Sequence, residues 1–452
     1  MEQLLDVPLW TRLVVVFAAS AVVASWLNAA IYEFAYDRRR FSPWQPTPPG
    51  VAPRGWLDRT PILGWLRLRR DRGQLGERFW VRPFLLELLF PLAIAALYWW
   101  EVERHALIDP QIPVAGDVNW RPLAGVLHVQ FFAHALLAAF MWAATFIDFD
   151  EKTIPDAISR PGTLLALLVI TLAPMAALPD VKELAAAPRI GVALVDTQNA
   201  PLRVRGGHPL YVTPVQPFSP NDWPARATDN RGRLSLLTGL GCLWLWCFAI
   251  ADRTWPKRIA YPNRLASKLA VWLARLLRDL SQMHLRSLLV AGTLAVLVTW
   301  FTDGAAWLGL LNGLIGLVLG SVLVWAVRVV GSYAMGREAM GFGDVLLMMM
   351  VGVLLGWQAC LVLFFLAPFA GLLLGLASLL FGRGDAIPYG PFLCLAAAVT
   401  VVRWGDLWPR VERVFEPGWL VPVMLVACVA LLGVLLVVIQ IAKGLFRERG
   451  HD

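Results

Sequence analysis

Gly336–Trp357 reads GREAMGFGDVLLMMMVGVLLGW, and how this stretch is understood decides the fold. It sets one carboxylate, Asp344, where a glycine-broken loop runs into an apolar helix. A carboxylate at membrane depth costs at least about a few kcal/mol and is a functional candidate by default. The flanking Gly341 and Gly343 remove Cβ atoms that would crowd a substrate or hold the backbone to ordinary conformations. A lone Asp after two spaced glycines is a weak signal. It gains weight from a second acidic cluster far upstream, Phe146–Asp156 (FIDFDEKTIPD), which also closes an apolar run.

Composition places both clusters in a membrane protein. The chain has 452 residues, of which 58% are hydrophobic and 16% charged, and its mean hydropathy is +0.61. A soluble domain of this size cannot hide that much apolar surface. The net charge of +8 comes from arginines set in loops between apolar spans. That pattern orients a bilayer protein and argues against a nucleic-acid binder. The 22 tryptophans suit interfacial belts. The five cysteines, Cys242, Cys247, Cys360, Cys394 and Cys428, all lie in apolar runs and form no CxxC pair. Neither a disulfide framework nor a zinc site is expected from them.

Taken in order, the chain alternates between spans and loops of contrasting charge. Arg12–Tyr36 is a first span, read as retained rather than as a cleaved signal. The loop Asp37–Arg82 holds eleven arginines against four acids, which marks it as cytoplasmic and puts the N-terminus outside. Further spans are expected over Pro83–Trp100, Val126–Ile147, Gly162–Leu178, Leu234–Ala251, Ser287–Thr302, Ala305–Val330, Val345–Trp357, Gln358–Leu380, Pro391–Val402 and Trp419–Ile441. Asp148–Pro161 and Arg403–Pro417 are expected as loops. Pro179–Arg233 is too long for a simple connection and has strand character at Arg189–Val195 and Tyr211–Val215. Leu265–Leu285 has the spacing of an interfacial or packed amphipathic helix. The expected fold is an all-α polytopic transmembrane bundle of about 8–11 spans. Its expected parts are a first span (1–36), an Arg-rich cytoplasmic domain (37–82), a transmembrane region with Asp148 (83–178), a small external insert (179–233), a transmembrane region with Asp344 (234–403), and an extra span with a basic tail (404–452). The alternation puts Asp148 and Asp344 on one face.

Two carboxylates at one membrane face, on different helices, suit general acid–base work. Held a few ångströms apart they cannot both ionise cheaply, so they share a proton. One then activates water and the other protonates or polarises a scissile carbonyl, with no metal and no covalent intermediate. The bland alternative is a pair of interfacial carboxylates that cap helices or pair with Arg.

The surrounding residues carry a resemblance. FIDFDEKTIPD resembles the first signature of the type IV prepilin peptidases, an Asp followed at the seventh and eighth positions by Pro and Asp; Pro155 and Asp156 select Asp148 over Asp150. GREAMGFGD resembles their second signature, GxGD, and selects Asp344. Ile387–Leu393 (IPYGPFL) looks like the block that follows. Trp26–Tyr32 (WLNAAIY), Asp58–Arg69 (DRTPILGWLRLR) and Val81–Leu89 (VRPFLLELL) are similar to the N-terminal half of bacterial members.

The resemblance implies an intramembrane aspartic endopeptidase of the inner membrane. It would cut the basic leader from type IV prepilins or type II secretion pseudopilins at the cytoplasmic face, with Asp148 and Asp344 as the catalytic pair. The acids Asp150, Glu151, Asp156 and Glu338 would be available to receive the basic leader, though a solvated or capping role suits each of them better. Glu87, another intramembrane carboxylate, is expected to pair with an Arg. The chain also departs from the family. The segment between the first two spans lacks the two CxxC pairs of many bacterial members, so no zinc is expected there. S-adenosylmethionine would be a cofactor only if the family's N-methylation is retained. Leu346 stands where a Lys is common after GxGD. Two other classes compete: a proton-coupled transporter, and a non-catalytic assembly factor of a pilus or secretion system.

Overall fold

The computed structural model describes residues 2–35, 42–48, 50–108, 118–203, 207–219, 232–251, 265–280, 282–302, 304–336, 338, 340–380, 388–418, 420–431 and 433–434. The apolar runs are helices, because a chain in hydrocarbon has to satisfy its backbone hydrogen bonds internally. The helices are α1 (Leu9–Glu33), the short α2 (Leu63–Leu68) and α3 (Arg72–Leu75), α4 (Val81–Tyr98), α5 (Ala124–Glu151), α6 (Asp156–Leu172), α7 (Arg233–Ile250), α8 (Leu265–Leu280), α9 (Met283–Thr302), α10 (Ala305–Met335), α11 (Phe342–Leu380), α12 (Gly390–Val402) and α13 (Trp404–Phe415). Among the described residues, seven helices are long and apolar enough to cross a membrane, or eight if the bent pair α12–α13 is one span. The chain is an all-α, multi-pass membrane protein at the low end of the expected count.

The sequence boundaries shift in two places. The expected loop Asp148–Pro161 is only a few residues long, because α5 continues to Glu151 and α6 starts at Asp156 with Pro161 inside it. Proline does not end such a helix when neighbouring helices re-satisfy the freed backbone groups. Arg403–Pro417, expected as a loop, contains α13, turned 96° from α12. The spans expected over Val345–Trp357 and Gln358–Leu380 are two helices that meet at a kink at Gly356 (φ 81°, ψ 167°), one residue from the expected boundary; they are taken together here as α11. Of the expected span Trp419–Ile441, an apolar helix is seen over Leu420–Leu431, and most of the remainder lies outside the described residues.

The insert is β-rich, as its strand character implied. Strands β2 (Pro179–Glu183), β5 (Leu210–Pro214) and β3 (Val192–Ala193) form an antiparallel sheet in the order β2-β5-β3. Strand β1 (Val118–Asn119), from the loop before α5, pairs with β4 (Val195–Asp196) of the insert. Indole and amide donors tie this β layer to the helix ends beneath it. Trp404 and Trp408 Nε1 donate to Pro179 O (2.8 Å) and Asp180 Oδ1 (2.9 Å). Trp357 Nε1 donates to Pro217 O (2.8 Å), and Asn312 Nδ2 to Val215 O (3.1 Å). The described parts of segments 101–125, 179–233 and 403–417 therefore assemble at one end of the bundle.

The core joins α6, α10 and α11. Inside α11 every residue from Val345 to Leu355, save Gly352, belongs to the buried apolar core. Helices in lipid gain little from apolar burial and associate by close packing over small residues. Here Gly316 of α10 lies directly on Gly352 of α11, backbone to backbone: a Cβ on either would collide with the other's carbonyl. A Gly316→Leu protein is expected to lose this contact and melt well below the parent in detergent, a loss of about 3 kcal/mol or more. An unchanged midpoint by fluorescence-monitored unfolding would count against the contact.

The Arg-rich segment between α1 and α4 is held by polar contacts around a buried Trp65. Arg54 pairs with Asp71, both buried, and Arg70 reaches Asp58 at 2.8 Å. Burial opposes ionisation of Asp58, but the Gly55 N–H and the Arg70 and Arg67 guanidinia outweigh it and keep its carboxyl below the ordinary value. Glu87 is buried, and among the described residues it has no arginine partner. It accepts from Asn28 Nδ2 (3.1 Å) and from the Ile62 backbone N–H (2.8 Å). That N–H is free to donate because Ile62 centres a tight turn at φ 63°. Position alone suggested an ionic partner; an amide pair serves instead and leaves no second charge to bury.

Candidate active site

Asp344 owes its position to a helix start. Gly341 precedes the first residue of α11, and Asp344 is the third. Its carboxylate reaches back to accept from the Gly341 N–H, as the acidic partner of a capping box does. Asp148 owes its position to a helix end. It lies in the last turn of α5, where the Lys152 N–H bonds to its carbonyl (2.8 Å) and Lys152 takes the left-handed conformation that stops the helix. The chain then crosses through Ile154 and Pro155 and re-enters a helix at Asp156.

That crossing brings the two acidic motifs into contact. A Cβ on Gly343 would stand 2.9–3.0 Å from the Cβ, N and O of Ile154. The room left by Gly343 is thus filled by the chain's own first motif and is not free for a substrate. The third block closes the site from α12. The Gly390 N–H donates to Asp148 Oδ2 (3.2 Å), and a Cβ on Gly390 would lie 2.5 Å from that oxygen. Tyr389, next in the block, is within electrostatic range of Asp344; burial first, and then the Asp344 charge, push its phenol up to about 12.

Asp148 and Asp344 are 3% and 6% exposed, and their charges lie within interacting range. Both stand at the end of the bundle away from the β layer: α5 starts beside that layer and ends at Asp148, whereas α11 starts at Asp344 and reaches the layer at Trp357. Asp150, two residues on, faces out and pairs with Arg82 at 2.8 Å. Asp156 pairs with Arg160 one helical turn away, and Glu338 with Arg328. Glu151 ends α5 beside them, half-buried.

Three neighbours carry little signal in the sequence. Arg328 donates to Met340 O (2.9 Å), covers the Phe342 ring, and faces Asp344 electrostatically. An arginine in the last turns of a predicted span reads as an orientation signal, so nothing marks it for the site. Ile154 reads as an ordinary core residue. Gly390 lies within the block IPYGPFL, which by itself suggests no role for its glycine. Among the described residues, no group of three or more His, Cys, Asp or Glu is placed to hold a metal ion.

The geometry has counterparts in known proteins. Residues 268–376, which include Asp344, match the family model described as the type IV leader peptidase family. A prepilin leader peptidase/N-methyltransferase of Aeromonas hydrophila is 28% identical over 149 residues, 31% of this chain and 50% of that protein. Proteins of the same name from Pseudomonas putida and Pseudomonas aeruginosa are both 32% identical, over 116 and 114 residues; each match covers 39% of the relative and 25% and 22% of this chain. The chain thus spans half or less of the length of these curated relatives. No solved structure matches. Both acidic motifs thus join in one buried site, and the second lies inside residues 268–376, the stretch of this chain that is similar to the type IV leader peptidase family.

Proposed function

We propose that this chain is an intramembrane aspartic endopeptidase that removes the basic leader of type IV prepilins or type II secretion pseudopilins at the cytoplasmic membrane face. The observation that carries the reading is the meeting of Asp148 and Asp344, nearly two hundred positions apart, in one buried site at one end of the bundle. In the ionised state one carboxylate takes a proton from water, and the water oxygen attacks the scissile carbonyl. The other, protonated, donates to the carbonyl oxygen and then, as the C–N bond breaks, a proton passes to the leaving amine. Water is consumed and two peptide ends result, with no covalent enzyme intermediate.

The side assignment rests on charge. The Arg-rich segment 37–82 reaches the Asp148 end through the Arg82–Asp150 pair. The less basic insert lies at the far end, where the proposed outside would be. A transporter reading gains nothing from the structure, since both acids stand at helix ends instead of mid-span. The relatives' printed names also include an N-methyltransferase. Only the peptidase step is proposed for this chain.

The test is incubation of purified protein in detergent with a prepilin-like peptide, read by mass for cleavage and for methylation of the new N-terminus. Cleavage at the junction of the leader and the apolar segment is expected. Binding of the peptide without any cut would turn the reading toward an assembly factor.

A further inference from the structure

The two acidic motifs share a spelling, and both are held in the same way. The first reads Phe146-Ile147-Asp148 and the second Phe342-Gly343-Asp344, so each acid follows a phenylalanine by two positions. Two positions along a helix turn by about 200°, which sends ring and carboxylate to nearly opposite sides. Over the ring of each motif stands one arginine from a neighbouring helix. Arg82, at the start of α4, lies over the Phe146 ring (5.8 Å), donates to Phe146 O (3.3 Å) and holds both carboxylate oxygens of Asp150 (2.8 Å each). Arg328, near the end of α10, lies over the Phe342 ring (5.6 Å), donates to Met340 O (2.9 Å) and pairs with Glu338.

We propose that Arg82 and Arg328 are paired positioning residues, which grip the two Phe-x-Asp turns from outside and hold Asp148 and Asp344 in register with each other. The proposal rests on the peptidase reading above and adds what fixes the relative placement of the two acids. Each arginine meets three groups at once: a ring face, a backbone carbonyl and a carboxylate. A planar guanidinium with several donors can do this, whereas a lysine ammonium is a point charge. Two of the three contacts, to the ring and the carbonyl, go to the segment just ahead of the acid and fix it against another helix. The need for a grip follows from where the acids stand. Asp148 is in the last turn of α5 and Asp344 in the first turn of α11. Helix ends fray, and two groups that act on one water tolerate little error in position. The two grips come from different helices, α4 and α10, so each acid is fixed apart from the Gly343–Ile154 contact that joins the motifs. The carboxylate contact matters least. The side chains of Asp150 and Glu338 are 26% and 64% exposed, and ion pairs in contact with water contribute little. Arg328 also faces Asp344 with its charge, and lysine variants separate that effect from the grip.

The test uses the purified full chain in detergent and a prepilin-like peptide. Arg82→Gln and Arg328→Gln are each expected to lower kcat about ten- to a hundredfold while KM stays within about twofold, since alignment of the reacting groups is lost and binding is not. Arg82→Lys and Arg328→Lys keep the charge and are expected to recover only a small part of the loss. A second readout needs no activity. In protein whose native cysteines are replaced, with Asp148→Cys and Asp344→Cys introduced, a short bifunctional thiol reagent is expected to join the two positions about fivefold more slowly once either arginine is changed to Gln. Each cysteine should still react with a monofunctional reagent at the parental rate, which reports a folded site. Parental kcat in both Gln variants, full recovery with lysine, or a loss confined to KM would overturn the grip. If the parent cuts no peptide and the Gln variants still cross-link more slowly, the grip stands and the peptidase reading falls. If the parent cuts and the cross-linking rate is unchanged in the variants, the grip alone falls.

Discussion

Asp344→Asn protein is expected to insert and fold as the parent does, yet to lose prepilin-peptide cleavage by about two to four orders of magnitude, and Asp148→Asn to match it. Asn is close to Asp in size. At 344 its side-chain oxygen can still accept from the Gly341 N–H, and at 148 from the Gly390 N–H, so the local geometry has no reason to collapse. What is lost is the ability to exchange a proton. On the proposed reading, in which the two groups act on one water, the double variant is expected to lose no more than either single one, as residues that work as a unit are grossly non-additive. Asp150→Asn separates this from a general charge effect. It breaks only a half-exposed pair with Arg82, so activity is expected to stay within about threefold of the parent. Cleavage rates of the four variants under one substrate concentration decide the matter. Full activity in either single variant would remove that residue from the pair.

Gly390→Ala is the second large effect, and it works without touching a charge. The added Cβ would stand 2.5 Å from Asp148 Oδ2 and 3.0 Å from Ile154 Cδ1. Both obstacles are ends of side chains, so the bundle can yield at little cost in stability. The carboxylate, however, has to swing out of place, and a displacement of about 1 Å at a reacting group costs roughly a hundredfold in rate. The expected result is a kcat down about a hundredfold with the thermal midpoint nearly unchanged. Gly343→Ala is the instructive contrast. Its Cβ meets the backbone N and O of Ile154 at 3.0 Å, which can move only if the loop between α5 and α6 moves. Here activity and thermal midpoint are expected to fall together. A Gly390→Ala enzyme with parental kcat would show that Asp148 tolerates the shift.

Much of this site is legible in the sequence because its chemistry is written in rare residues. Acids in apolar surroundings are few, so Asp148 and Asp344 stand out, and the resemblance to the family's first signature, through Pro155 and Asp156, is what favours Asp148 over Asp150. Strand character in the insert is legible from Tyr211–Val215 because alternation and β-branched residues have little use in a helix. Other features depend on tertiary contact. The role of Gly343 cannot be read locally, since what fills the space beside it is Ile154, almost two hundred residues away. General grounds of charge suggest an arginine for Glu87, whereas the fold brings it Asn28 and a turn amide. The boundaries at Asp156 and Trp404 escape the sequence because Pro161 and Pro409 look like helix breakers, while both sit inside helices here.

The most direct measurement is of the nearness of residues 148 and 344 in the membrane. With the five native cysteines replaced, an Asp148→Cys, Asp344→Cys protein is treated with a short bifunctional thiol reagent and then cut by protease within the 179–233 insert. The two halves are expected to stay covalently joined, while control proteins that combine Asp344→Cys with a cysteine placed in the β layer fall apart. Halves that separate although each cysteine is modified singly would contradict a shared acid–base pair.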